Sequence, residues 1–473
     1  MGRAARAGIV AAALAGAALG ARPLAAQSFR LHGTTTTQYV QLRPIVYDPT
    51  VIVPAGTGAD TGAFVSLPVA YAAPFTQDLE LSAWGLGMTG LRAYALVRGR
   101  AALGSGLVWP QSDTHFEALY AYLELERPQY LLRLGRQQRS SGLGFYGFDG
   151  LTAAWRPLAA LRVEAYGGRG LARASMESFN ASAIEALDPL RPDVGTVLMG
   201  ASVWAAPSRR STFSAIYQRE LLSDRSGLVS ERAAFDGRVA VGEQVILSGS
   251  ADADVARRQW GKAQISAMYL LGRGSSIQLE AFRYRPTLDL SSIWGVFSPE
   301  SNSGWSAAAN LAASRDLTLT GGFTYRHWDA LSSGSPFDLG VPDDQKELTF
   351  GARTRLGRVA LDGSYHLELG FGGDQSAGDV SAAYEPAGGW SAGLQATAFQ
   401  QTDMFRVASG TVYGVGGNFR TPLGSRLDLS ASLMRYLHRR LTGSTGVDWN
   451  QTRLSVTFDW TMGANADRVR GYP

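Results

Sequence analysis

Apolar and polar side chains alternate along most of this chain with a period of two residues. Between Arg358 and Gly370, one parity carries Val, Leu, Gly, Tyr, Leu and Leu, and the other carries Ala, Asp, Ser, His and Glu. The same alternation recurs near 92–100, 245–254 and 453–460. Because successive side chains of an extended strand point to opposite faces, this pattern predicts strands with one apolar and one polar face.

The predicted strands are long and numerous. They run about ten to fourteen residues, whereas strands of soluble domains cluster near about five or six. A tilted strand that crosses a membrane needs roughly 9–11 residues. We count about 22 such strands, within a range of 18 to 22. Since lipid offers no partner to an unpaired strand edge, they predict a closed transmembrane antiparallel up-and-down β-barrel.

The connections between these strands alternate in length. Short turns such as 127–129 and 422–425 alternate with long connections at 45–75, 171–194, 286–301 and 330–345. This is typical of outer-membrane barrels, whose short turns are periplasmic and whose long loops are extracellular. Aromatic residues beside the short turns are predicted to mark the periplasmic interface: Trp155, Trp204, Tyr384 and Trp390.

One helix is predicted, at 175–190 inside a long connection. A secreted β-sandwich, β-helix or propeller would also alternate, but it would show short strands, even turns or a repeat period, and no period holds.

The first residues predict export. Arg3 and Arg6 precede an apolar run, and Ala25 and Ala26 supply a small-residue cleavage site, as in a secretory signal peptide. We therefore predict a signal peptide at 1–26, a barrel at 27–462 and a C-terminal tail at 463–473. Strands begin directly after the signal, so no plug domain is predicted. The predicted location is the outer membrane.

Composition narrows the chemistry. The chain has no cysteine, which excludes disulfides, thiolate metal sites and covalent haem attachment of its own. Its net charge of +4 and lack of a basic cluster argue against a nucleic-acid partner. The five histidines are scattered, and none pairs with a nucleophile. We predict no enzyme activity, no metal and no cofactor.

Gly142, Gly144 and Gly147 spell G-x-G-x-x-G, the pattern of a dinucleotide-binding loop. That fingerprint needs a helix after the third glycine, so that the helix N-terminus faces the pyrophosphate. Here the chain continues as a strand that ends in an Arg-Pro turn. The glycines are instead predicted to form the tip of an external hairpin loop.

The same stretch carries a family resemblance. Gly135-Arg136-Gln137, a glycine-bearing loop and Asp149-Gly150 resemble a hairpin of porin-like outer-membrane β-barrels of Gram-negative-type bacteria, including alginate-export-type barrels. The resemblance covers some twenty residues and the general architecture. It implies a porin-like barrel and carries over no substrate and no binding residue.

Polar residues on the predicted interior parity are candidates for a selectivity surface. These lumen-lining candidates are Arg92, Arg98, Arg100, Glu124, Asp252, Asp254, Glu280, Arg326, Asp362, Glu368, Arg453 and Asp459. Both signs occur, so no strong charge selectivity is predicted. Alternatively, such residues pair across strands and keep the interior wet. Trp294 and Phe297, apolar in a long loop, are candidates for a constriction or a partner-docking loop.

Two functions follow from this pattern. The first is a passage for small hydrophilic solutes. The second is a sheath for a partner, such as a periplasmic multihaem cytochrome inside the lumen, because barrels of about 22 strands usually have something filling the lumen. Outer-membrane lipid, lipopolysaccharide and the barrel-assembly machinery are the further predicted partners.

Overall fold

The computed structural model describes most of the chain. The described residues are 28–42, 45–52, 61–66, 68–103, 115–171, 196–223, 227–285, 301–329, 343–370, 373–402, 409–441 and 448–463. The predicted helix at 175–190, Trp294 and Phe297, all of the predicted signal peptide and most of the tail lie outside these ranges. Among the described residues, no helix has the length and apolar character needed to cross a membrane.

The described chain is all-β. Its strands are β1 (Ser28–Leu42), β2 (Ile45–Ile52), β3 (Thr61–Ser66), β4 (Ala70–Ala72), β5 (Pro74–Trp84), β6 (Leu91–Ala102), β7 (His115–Glu126), β8 (Tyr130–Ser141), β9 (Gly144–Leu158), β10 (Leu161–Gly170), β11 (Thr196–Ser208), β12 (Ser211–Leu222), β13 (Leu228–Val241), β14 (Val245–Asp254), β15 (Gln259–Gly272), β16 (Ser275–Tyr284), β17 (Asn302–Ala312), β18 (Leu317–Trp328), β19 (Asp344–Leu356), β20 (Val359–Gly370), β21 (Asp374–Tyr384), β22 (Ser391–Thr402), β23 (Gly410–Pro422), β24 (Leu427–Arg440) and β25 (Trp449–Gly463).

Twenty-two of these strands form a closed antiparallel ring. Each strand from β5 to β25 pairs with its neighbour in sequence, and β1 closes the ring by pairing with both β25 and β5. The short β4 extends the line of β5 along β1, while β2 and β3 form a separate hairpin. The ring confirms the predicted fold and strand count, and every strand in it has a neighbour on both sides, as closure in a membrane requires.

The registers keep the two parities on separate faces around the ring. Asp362, for example, lies beside Arg353 and Ser381, while the next residue of β20, Gly363, lies beside Ala352 and Val380. The face on which Val380 lies carries large exposed side chains throughout the ring, and we call it the apolar face. Because a transmembrane barrel turns its apolar side chains towards lipid, the opposite, polar face is the interior one.

The two rims differ as predicted. Two- to four-residue turns join β19 to β20 and β23 to β24 at one rim, which we call the turn rim. Trp155 lies on the apolar face near this rim and is 59% exposed, as expected of an interface aromatic. Trp204 corrects the prediction: its register with Arg162 and Ser214 places it on the polar face. Parity along the strand, and not closeness to a turn, decides which face an aromatic occupies.

Candidate functional site

The upper part of the β8–β9 hairpin leaves the barrel wall. β8 pairs with β7 only as far as Arg136, and β9 pairs with β10 only from Phe148 onwards. The two strands nevertheless remain paired with each other up to Ser141 and Gly144. Residues 137–147 are therefore a two-stranded hairpin without a strand neighbour on either side. We call this segment the infolded hairpin.

The tip of the infolded hairpin packs on the polar face. Leu143, only 3% exposed, belongs to a buried apolar cluster with Leu198, Ile216 and Ala234, which lie on the polar face of β11, β12 and β13. The tip is thus covered by the inner wall that β11, β12 and β13 form. The prediction of an external loop tip was wrong, because the apolar Leu143 finds a complementary apolar patch inside the barrel.

Polar contacts fix the tip on β13. Arg232 donates from Nη1 to the Leu143 carbonyl oxygen and to the Tyr146 hydroxyl, each at 2.9 Å. The Tyr146 hydroxyl donates in turn to the Leu143 carbonyl at 2.5 Å. A charged donor on a buried carbonyl makes a stronger bond than a neutral one. These hydrogen bonds therefore fix the position of the tip on β13.

Gly142 permits the close approach of the tip to the wall. A Cβ at this position would lie 2.8 Å from Oδ2 of Asp236 and 3.2 Å from the Cβ of Ala234. A side chain at this position would require the end of the Asp236 side chain to shift. The first glycine of the G-x-G-x-x-G pattern thus serves packing against β13 and not phosphate binding.

A second glycine contact lies where the hairpin leaves the wall. Gly135, Gly150 and Gly168 are register partners on the polar face. A Cβ on Gly150 would lie 2.1 Å from the carbonyl oxygen of Gly167 and 2.6 Å from the Cα of Gly168. Glycines in strand interiors allow backbones to approach closely and strands to bend. This row marks the bend of the infolded hairpin.

The residues of the family resemblance fasten the two strands at this bend. Arg136 binds Asp149 with two parallel bonds on the apolar face, Nε to Oδ1 at 2.8 Å and Nη2 to Oδ2 at 2.9 Å. On the polar face, Gln137 donates from Nε2 to the Gly150 carbonyl at 2.9 Å. Paired bonds of this kind fix orientation as well as distance. The Gly-Arg-Gln and Asp-Gly elements therefore have a structural role at the base of the infolded hairpin.

Arg139 ties the middle of the infolded hairpin to the inner wall. Its guanidinium donates to Glu164 on β10 and, at 2.9 Å, to the Ser202 hydroxyl on β11. The guanidinium carbon lies 4.4 Å from the centre of the Tyr166 ring, within the range of a cation–π contact. Tyr166 donates to Gln218 on β12 at 2.9 Å. The hairpin is thus held along its length.

The registers place all twelve predicted lumen-lining candidates on the polar face: Arg92, Arg98, Arg100, Glu124, Asp252, Asp254, Glu280, Arg326, Asp362, Glu368, Arg453 and Asp459. Two of them contact each other, Arg92 and Glu124, with 3.8 Å between Nη1 and Oε1. The others are spread around the ring. That they line a passage stays a prediction.

Most of these candidates pair with residues that the sequence reasoning did not select. Arg98 contacts Asp78 at 2.8 Å, Arg326 contacts Glu347 at 3.2 Å, and Arg133, which was missed, contacts Glu124 at 2.6 Å. This is the pattern expected of cross-strand pairs that keep the interior wet. Arg139 and Arg232, which hold the hairpin, were also missed. Their parity matches the polar face and is the signal that could have found them.

The chain matches no protein-family model and none of the curated proteins. Among solved structures it is similar to the siderophore receptor PirA from Pseudomonas aeruginosa, with a TM-score of 0.54 and 8% identity over 92% of this chain and 80% of that one. It is also similar to OccAB4 from Acinetobacter baumannii, with a TM-score of 0.42 and 10% identity over 94% and 100% of the two chains. OpdK from P. aeruginosa gives 0.43 and 11% over 92% and 100%. At such identities, the likeness to PirA concerns the fold alone.

Proposed function

We propose that this chain is an outer-membrane porin-like barrel that forms a passage for small hydrophilic solutes, narrowed by its own infolded hairpin. The observation that carries the proposal is the seat of the hairpin tip on the polar face of β11–β13. A ring of 22 strands encloses a lumen that is normally filled by something. Here part of that filling comes from residues 137–147.

The charges of the polar face support a weakly selective passage. Basic and acidic side chains alternate across neighbouring strands, as in Arg98 with Asp78 and Arg326 with Glu347. Rings of a single sign select ions, whereas paired charges of both signs cancel. We expect similar permeability for small cations and anions.

The direct experiment is single-channel recording of the purified full-length protein in planar bilayers, accompanied by swelling of liposomes in sugar solutions. We expect discrete conductance steps and uptake of small sugars. A folded protein that gives neither conductance nor swelling would contradict the proposal. Folding is checked independently by the heat-dependent gel mobility of the barrel.

The second candidate is a sheath around a multihaem cytochrome, favoured by the width of a 22-strand ring. The chain has no cysteine, so the partner would have to supply the haem. The infolded hairpin covers inner wall that a sheathed protein would need, and we therefore rank the passage first. Co-purification of a stoichiometric haem protein from native membranes would reverse that order.

A further inference from the structure

A polar pocket of about 250 Å³ lies on the inner wall beside the hairpin tip. Its lining consists of Trp204, Phe213, Asp236, Arg238 and Gln264, together with four serines, a threonine and two glycines. The size lies just below the range of roughly 300–1,000 Å³ for pockets that bind drug-sized ligands. The pocket therefore suits a ligand of one small ring.

The lining residues lie close together because they face one another across neighbouring strands. Trp204, Ser214, Asp236, Ser250 and Gln264 are successive register partners across β11–β15. Side chains directly opposite each other on one face lie about 5 Å apart at Cβ. Arg238 belongs to the next row on the same face. Five strands thus present one continuous patch.

Trp204 is the unusual member of this patch. It is 40% exposed on the polar face, where an indole meets water instead of lipid. Exposing a large aromatic surface to water is unfavourable unless a partner covers it. The flat apolar face of an indole can cover the C–H face of a sugar ring, while polar groups around it bind the hydroxyls.

The polar lining is neutral in sum and suits hydroxyl groups. Asp236 and Arg238 are two residues apart on β13, a separation of about 7 Å for an extended strand. No ion pair joins them, and Arg238 has no side-chain partner within the described ranges. Serine hydroxyls both donate and accept, and Asp and Arg add one strong acceptor and one strong donor set. Two opposite charges give no net attraction to an anion or a cation.

The pocket also lies next to the infolded hairpin, which narrows the proposed passage. Gly142 of the tip lies against Asp236, since a Cβ there would come within 2.8 Å of its Oδ2. A solute that passes the infolded hairpin on this side meets Trp204 and Asp236 directly. The pocket is therefore placed at the narrow section of the proposed passage.

We propose that this pocket is a binding subsite for a neutral, hydroxyl-rich solute of hexose size, with Trp204 as the stacking platform and Asp236 and Arg238 as hydrogen-bonding groups. The inference deepens the proposed function and rests on it for its biological meaning. Its test does not require conduction.

The test measures binding of glucose, glucuronate and glucosamine to the full-length protein in detergent, by calorimetry or saturation-transfer NMR. We expect glucose to bind. Neither the carboxylate of glucuronate nor the ammonium group of glucosamine is expected to tighten binding. Trp204→Ala is expected to weaken glucose binding about tenfold, while Trp204→Phe retains most of it. Trp84→Ala, which removes another polar-face indole outside the pocket, is the matched control and is expected to bind like the unaltered protein.

Several results would overturn the subsite. These are no measurable glucose binding, equal binding by Trp204→Ala, or glucuronate binding about tenfold more tightly than glucose, which would indicate an anion site. If the protein binds glucose but shows no conductance in bilayers, the subsite stands and the passage is rejected. If it conducts but does not bind glucose, the passage stands and the subsite is rejected.

Discussion

Two regions of the same barrel differ sharply: the wall from β8 to β13 and the wall from β18 to β23. In β18–β23, Gln345 is the only non-glycine residue whose side chain is buried. In β8–β13 a second layer covers the polar face, and Phe148, Leu198 and Gln218 are almost completely buried. Both walls follow the same alternation. The difference shows that alternation builds the wall, while apolar residues on the polar parity recruit the layer inside it.

Removing the second layer should make the two walls alike. Gln138 and Gly147 are register partners, so a two-residue Asn-Gly turn can replace residues 139–146. The uncovered polar face should raise single-channel conductance about twofold or more, because the pore section grows. Replacing the two-residue turn at 357–358 with Asn-Gly is the matched change on the other wall and should leave conductance unaltered. Equal conductance of the shortened and the full hairpin would show that the hairpin does not narrow the path.

A substitution at the bend should lower the stability of the barrel, whereas the matching substitution in the other wall should not. In Gly150→Val the new side chain would meet the Gly167 carbonyl oxygen within 2.1 Å. We expect a loss of about 1–3 kcal/mol, as for overpacking elsewhere, in urea unfolding in detergent micelles. Gly363→Val is the control, since the nearest atom to its Cβ lies 3.8 Å away. Equal stability of the two variants would contradict the close approach at Gly150.

A more local effect, confined to the hairpin tip, is expected from the bonds that Arg232 donates to it. Arg232→Met removes both donations to the tip and the 3.6 Å ion pair with Asp252. We expect about 1.5–3 kcal/mol less free energy for seating the tip, read as faster proteolysis within 137–147. Arg353→Met breaks an exposed pair with Asp362 on the other wall and should change little. Proteolysis that is equally fast in both variants would argue against the Arg232 contact.

The sequence predicts the wall far better than its lining. Period-two alternation predicted the closed ring, and parity placed Asp252, Arg326 and ten further candidates on the polar face. It did not predict the infolded hairpin, because Leu143 is a single apolar residue in a turn of serine and glycine. The available signal was β11, where Leu198 is apolar on the parity that elsewhere is polar. A contact between residues 89 positions apart in the sequence, such as Leu143 and Arg232, leaves no periodic trace.

The most direct test of the infolded hairpin is a disulfide between its tip and the wall. The chain has no cysteine, so Gly142→Cys/Ala234→Cys introduces the only two thiols. A Cβ at Gly142 lies 3.2 Å from that of Ala234, close to the roughly 3.5–4.5 Å of a disulfide. After mild oxidation of the folded protein, mass spectrometry should find this pair linked and the control pair Gly142→Cys/Ala308→Cys, whose second thiol lies on β17, unlinked. Free thiols in both pairs would contradict a hairpin seated inside the barrel.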